Sequence, residues 1–328
     1  MGKKSKANRK TAPIATSAVA TATVAVAASA AAAATTTAAA AAVADETDLT
    51  GKLEEFPEST LFVKGESLCR KGNYSKATKV YLQGIDNGCV RCVFAYTMKI
   101  LSDGAAIENV TTVGELIHNN MNLHLALPLL LEGAIRGSYD AIMKLTGVYC
   151  EARYKADDVH RYGSCLPAAP LILYWRKHAA KTKEDRTGIK GVKENLGTQC
   201  SVCQKRDSDT APLRKCDGCH FFYYCSKECQ KKMWQEGQHA GVCRHLGLLN
   251  KYHKPFAKKI WTDIAVHGIT PQDIPELQEL RHRLGLSRPQ EDYQDRLDEA
   301  QALRLDSIKL ILPRKDGTVQ IGSFPRPI

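Results

Sequence analysis

Between Cys200 and Cys243 the chain sets out eight soft metal ligands: Cys200, Cys203, Cys216, Cys219, Cys225, Cys229, His239 and Cys243. Their spacing is C-x2-C-x12-C-x2-C-x5-C-x3-C-x9-H-x3-C. Thiolate and imidazole together select zinc over hard cations such as magnesium or calcium. Eight ligands complete two tetrahedra and leave no position for water, so both sites are expected to be structural rather than catalytic. By count alone, the ligands divide either consecutively or in an interleaved order. The last four, within YYCSKECQKKMWQEGQHAGVC, look at first like a one-zinc finger. Their nine-residue spacer is, however, shorter than the roughly twelve residues of DNA-reading Cys-Cys-His-His fingers. Two further histidines lie close by: His220 adjoins Cys219, and His245 follows Cys243 by two residues. The His-x3-Cys spacing favours His239 over either.

The ligand order, the aromatic run Phe221-Phe222-Tyr223-Tyr224, the segment CSKECQKKMW and the closing His-x3-Cys together resemble a MYND-type zinc finger. Every ligand position is filled over residues 200–243, and only the spacer containing Gly237-Gln238 is slightly long. RING-type modules, whose histidine falls in mid-order, fit less well. The resemblance implies interleaving, with Cys200, Cys203, Cys225 and Cys229 on one Zn²⁺ and Cys216, Cys219, His239 and Cys243 on the other. Each ion then closes a long loop, which substitutes for a core that so short a segment cannot build. Ser226 is expected to cap a short helix running through Trp234 and carrying Cys229 on its first turn. Met233, Trp234 and Leu213 are expected to form a small apolar cluster between the sites. The family in general binds short proline-containing peptides. Gln230 and Trp234 are the expected contacts, because they lie on that helix and Trp is a frequent interface anchor.

A module this small needs a scaffold, and the pattern turns helical from Glu58 to about Lys183. LFVKGESLCRKGNYSKATKVYLQGI resembles a tetratricopeptide unit: Leu61, Gly65, Leu68, Gly72, Tyr74, Ala77, Tyr81 and Gly84 fall at its helix-pair contacts. Small residues let two helices approach, Leu61, Leu68, Tyr74 and Tyr81 fill the space between them, and Gly72-Asn73 turns the chain. YLQGIDNG (81–88) recurs as LLEGAIRG (130–137) at an offset of 49, and ALPLLLE (126–132) as AAPLILY (168–174) at an offset of 42. Unequal offsets, with insertions such as GAAIENVTTVGELIHNN, make residues 90–180 more similar to Sel1-like repeats. The expected fold is mainly α: a tetratricopeptide- or Sel1-like array over 58–183, the two-zinc finger at 200–243 and a helical region over 245–328. Within that last region, Asp316-Gly317 lies between apolar alternations as a hairpin turn would. Cys89 and Cys92 form a separate Cys-x-x-Cys inside the helical array, read as buried structural thiols; Cys69, Cys150 and Cys165 are read as core or surface thiols.

Residues 1–50 read as a tail, a basic block MGKKSKANRK followed by an Ala/Thr/Val-rich tract ending near Ala44. The tract lacks the bulk to pack or to span a membrane. Residues 1–44 are also acid-free, as an organelle transit peptide would be, and the lysine block suits a nuclear signal. Seven of the 12 cysteines are clustered in the finger, which points to metal binding in a reducing cytoplasm or nucleus rather than a disulfide framework. The net charge of +11 sits in the tail and around the cysteines. Lys181, Lys183, Lys190 and Lys193 read as a solvated linker, with nucleic-acid association as the alternative. No phosphate loop, nucleophile elbow or acid–base set is visible. The segments that a SET methyltransferase would need around its finger are missing too. The leading expectation is a non-enzymatic adaptor binding proteins through finger and repeats.

Overall fold

A computed structural model describes residues 51–103, 123–151, 169–180, 183–209, 212–235, 239–287, 310–313 and 318–322. All of them fall within one compact unit. The tail, the whole insertion after Asp103, Cys165, Lys181, the segment 288–309 and the Asp316-Gly317 turn lie outside the described residues.

Helices α1 (Thr60–Arg70), α2 (Tyr74–Asp86), α3 (Val90–Asp103), α4 (Leu123–Ile135), α5 (Tyr139–Glu151) and α6 (Ala169–Ala179) each pack against their successor. Glycine fixes the closest approaches. A Cβ on Gly65 would lie 2.3 Å from the Tyr81 ring, and one on Gly84 would lie 2.3 Å from Cys92 Sγ. The recurrence at offset 49 is a matched structural turn. α2 and α4 both close on a left-handed glycine, Gly88 (φ 80°) and Gly137 (φ 89°). The next amide in each case, Cys89 or Ser138, donates back to the carbonyl of Gly84 or Gly133, at 2.8 and 3.0 Å. Tyr74 departs from its expected role. As the first residue of α2 it is 58% exposed and lies under Lys99 Nζ, 5.7 Å from its ring, while Tyr81 and Ala77 do the filling.

α4 is apolar on every side, and Ala126, Leu127, Leu130, Leu131, Ala134 and Ile135 are all buried. Such a helix belongs at the centre of a stack. Glu132 on this helix and Arg136 just past its end form a buried latch. Glu132 pairs with Arg136, whose Nη1 donates to Gly88 O at 3.0 Å, and its other oxygen accepts from Arg281 Nε at 3.0 Å. The latch joins the turn after α2 to α11 (Pro275–Leu284), which buries Leu277, Leu280 and Leu284 at helical spacing.

The lysine-rich segment expected to be linker is helix α7 (Lys183–Leu196), packed on α6 and exposed along its charged side. Beyond it come strands β1 (Arg214–Lys215) and β2 (Tyr223–Tyr224), then helices α8 (Lys227–Gln235) and α9 (His239–Leu248). α9 packs against α6, so the helix that closes the finger also borders the array. The chain continues through a π-helical turn (Leu249–His253), α10 (Ala257–Trp261), a second π-helical turn (Thr262–Val266) and α11. Strand β3 (Leu310–Pro313) pairs antiparallel with β4 (Val319–Gly322), and the pair lies against α9, α4 and α11. One continuous core runs from Leu127 and Trp175 through Phe222, Val242 and Cys243 to Leu280 and Val319.

His253 is buried between Tyr174 and the end of α4: its Nδ1 is 2.6 Å from Tyr174 Oη, and its Nε2 is 3.2 Å from Ile135 O. His178 stacks beside both rings, with Lys177 and Lys254 nearby. Burial brings His178 down to about 4 and His253 to about 3.

Two outcomes follow. Glu132→Ala strands the buried Arg136 and lowers stability in denaturant by about 3–5 kcal/mol, whereas Arg281→Ala, removing a partly exposed partner, costs less. Because both histidines titrate lower folded than unfolded, their contribution is complete above about pH 6.5. It is lost as pH falls toward 4, on the order of 1.4 kcal/mol per unit per group. Denaturation midpoints followed from pH 7.5 to 5 show this slope, and His178→Phe reduces it.

Candidate metal centre

Two copies of one backbone device begin the finger. After Cys200-x2-Cys203 the chain turns through Gln204 at φ 60°, whose amide donates to Cys200 O at 3.0 Å. After Cys216-x2-Cys219 it turns through His220 at φ 53°, whose amide donates to Cys216 O at 2.8 Å. Each turn aims its two sulfurs to the same side. His220 therefore has a backbone role and an exposed side chain, and it is not a ligand. The second turn also needs Gly218, where a Cβ would lie 2.7 Å from Cys243 Sγ.

A two-residue ladder joins the halves, with Arg214 opposite Tyr224 and Lys215 opposite Tyr223. β1 runs into Cys216, and β2 runs into Cys225. The Cys216 amide donates to Phe222 O at 2.8 Å, and the Ser201 amide to Tyr223 O at 2.8 Å, which places both cysteine turns against β2. Ser226 caps α8, accepting the Cys229 amide on Oγ at 3.3 Å and holding that ligand on the first turn. His239 and Cys243 lie one turn apart on α9.

The ligand atoms gather into two groups. Cys200, Cys203, Cys225 and Cys229 form one; Cys216, Cys219, His239 and Cys243 form the other; within each, all four atoms lie within 4.8 Å of one another. The grouping is interleaved, not consecutive. Zinc–sulfur bonds of about 2.3 Å give tetrahedral sulfur–sulfur edges of roughly 3.8 Å, and a sulfur–nitrogen edge near 3.6 Å. Cys225 and Cys229 are 3.7 Å apart, Cys216 and Cys243 3.8 Å, and Cys219 Sγ and His239 Nε2 3.4 Å. The two clusters fit two structural zinc ions.

The sites differ in setting. In the second, all four ligands are buried. In the first, Cys200 is buried, Cys225 and Cys229 are half-buried and Cys203 is exposed. For Cys200, burial opposes ionisation, but backbone hydrogen bonds from Cys203, Cys225 and Val202 outweigh it and bring the thiol to about 7. In the second site, hydrogen bonds from Cys219 and Cys243 hold the Cys216 thiol far below the ordinary range. Donating that bond pushes Cys243 up. Four sulfur and nitrogen donors sharing so little charge compensation are what a dication completes.

Tyr224 was not singled out from the sequence as an individual residue. Its hydroxyl lies 2.8 Å from His239 Nδ1, so with Nε2 turned to the sulfurs, Nδ1–H donates to the tyrosine oxygen. That bond fixes the ring's tautomer and direction. Burial raises the Tyr224 hydroxyl well above its ordinary range, so it stays protonated. Phe222 packs edge-on to the same imidazole at 4.4 Å. His245 is buried on the same helix but outside the ligand group.

The apolar filling also differs from the expected one. Phe222, Tyr224, Met233 and Val242 are buried in it, Leu213 is half-buried, and Trp234 is 47% exposed. The Trp234 ring meets the His239 imidazole edge-on at 5.3 Å and leaves its remaining surface to solvent, while Met233 and Cys229 of the same helix turn to the interior. Gln230 is exposed on the same side as Trp234, about one turn earlier.

Residues 200–243 match the MYND finger family. No curated protein matches the chain, and no solved structure does either. Among the described residues, no helix is long and apolar enough to cross a membrane.

The unequal burial sets an order of loss. Cys203→Ala leaves one zinc per chain and most of the thermal stability, whereas Cys219→Ala loses the core zinc and lowers the melting temperature of the helices as well. Zinc stoichiometry by atomic emission and helical circular dichroism on both variants check this.

Proposed function

We propose that this protein is a zinc-dependent adaptor that binds other proteins, with the finger as one docking surface and the helical array as another. The observation that carries the reading is the contrast within α8, whose inner side supplies a zinc ligand and whose outer side presents Trp234, 47% exposed, beside Gln230. A closed tetrahedron has no position for a substrate or water, so zinc here holds a surface in shape. A half-exposed indole on a metal-fixed helix is a rigid anchor with little entropy to lose on binding. The match to the MYND finger supports a protein-interaction role, and short proline-containing peptides are the proposed ligands.

The helices from α1 to α6 are proposed to be degenerate tetratricopeptide- or Sel1-like repeats. The matched glycine-closed turns of α2 and α4 support that reading. The reading is non-catalytic and places the protein in the cytoplasm or nucleus. A nucleic-acid-associated role is the second reading, and the exposed Lys227, Lys231 and Lys232 on α8 favour it.

The discriminating experiment is a fluorescence-anisotropy screen of proline-containing peptides against the zinc-loaded chain. Trp234→Ala weakens the best binder at least tenfold (about 1.4 kcal/mol) while two zinc ions per chain are retained. Unchanged peptide binding in that variant, or salt-dependent duplex DNA binding lost with the α8 lysines, contradicts the adaptor reading.

A further inference from the structure

The Cys-x-x-Cys upstream of the finger occupies a distinctive position. Cys89 is the N-cap of α3: its carbonyl accepts the Val93 amide at 3.1 Å, and its Sγ accepts the Cys92 amide at 3.4 Å. Cys92 is the third residue of that helix, so both thiols sit on one first turn. Ser59, itself the cap of α1, bridges the two. Its Oγ donates to Cys89 Sγ at 3.0 Å and lies 3.9 Å from Cys92 Sγ. Cys89 is 8% exposed and Cys92 wholly buried, so only Cys89 meets solvent.

Several features set the pair apart from inert core thiols. A thiolate at Cys89 is favoured by the helix end and by three donors: Ser59 Oγ, the Cys92 amide and the Cys92 thiol. Hydrogen bonding from Cys92, then from Ser59, draws the Cys89 thiol well below its ordinary value, and the same contact pushes Cys92 up. The pair is not a third metal site, since among the described residues the only ligand groups of three or more are those of the finger. Cys92 Sγ lies against Gly84 of α2, where any Cβ would collide with it. The buried sulfur is thus held beside its neighbour.

We propose that Cys89 and Cys92 form a redox-active dithiol, with Cys89 the attacking sulfur and Cys92 the resolving one, acting on low-molecular-weight disulfides. The Cys89 thiolate attacks one sulfur of the disulfide, whose S–S bond breaks and releases one thiolate. Cys92 then gives up its proton and attacks Cys89 Sγ, releasing the second. The protein loses two electrons and gains a Cys89–Cys92 bond; the small disulfide is reduced to two thiols. The inference does not depend on the docking role of the finger.

The test equilibrates the zinc-loaded full chain in glutathione disulfide and glutathione mixtures, quenches in acid, alkylates and digests with trypsin. Cleavage after Arg91 puts the two cysteines on separate peptides, 80–91 and 92–99, so the disulfide appears as a linked pair. The expected result is that this pair accumulates while Cys69 stays alkylatable. Cys92→Ser stops at a glutathione adduct on Cys89, and Cys89→Ser gives no adduct on Cys92. Both variants keep the wild-type helical circular dichroism. In the reduced protein, iodoacetamide labelling of Cys89 slows less than about tenfold between pH 8 and pH 6. An ordinary thiol slows on the order of 80-fold over that range. Failure of the linked pair to form even in pure glutathione disulfide, or Cys89 labelling that slows as an ordinary thiol does, overturns the proposal.

Discussion

His239 and Cys243 reach the second zinc site from one turn of α9, while Val242 and Leu246 of the same helix are buried in the main core. Everything else in the finger is placed relative to that helix. Its first turn is held by metal bonds and by the Tyr224 hydroxyl, and its remaining length packs on α6 and on the β3–β4 pair. Structural zinc contributes on the order of 10 kcal/mol or more to small domains at neutral pH. Here that free energy is fed into a helix shared with the array, so metal binding and packing of the whole unit are one equilibrium.

The asymmetry between the sites follows from the same helix. The second site has α9 and its core behind it, and all its ligands are buried. The first is built on the Cys200 turn and the start of α8, with Cys203 exposed. α8 therefore lies between a solvent-facing metal and a buried one. Its inner residues are fixed from both ends, Gln230 is left exposed, and Trp234 braces against His239 while keeping about half of its surface open to solvent. A docking surface of this kind owes its shape to metal bonds, with less of the ordering cost that a loop would meet on binding.

The sequence made the ligands legible because soft donors at short, fixed spacings have few other uses. It left their division open, since consecutive and interleaved sets satisfy the same count; the bond from the Ser201 amide to Tyr223 O, which brings the Cys200 turn to the strand that runs into Cys225, separates them. The glycine-closed turns were visible as the 81–88 and 130–137 recurrence because left-handed turns and close helix approaches restrict residue type. Tyr74 and Trp234 were harder to place, since a large ring serves a core or a surface equally well and helix phase at a terminus decides which. Tyr224 and Gln204 act through one hydrogen bond or one backbone angle, which no spacing announces. The lysines before the finger suggested linker, yet Lys190 and Lys193 are exposed residues of α7, whose Ile189 and Leu196 pack inward.

Amide hydrogen exchange resolved by segment, with and without bound zinc, tests the shared equilibrium most directly. The account predicts that removing zinc costs the amides of α6 (Ala169–Ala179) their protection together with those of α9 (His239–Leu248). If α6 keeps its protection while α9 exchanges freely, the finger is an independent module and the account of a common core is wrong.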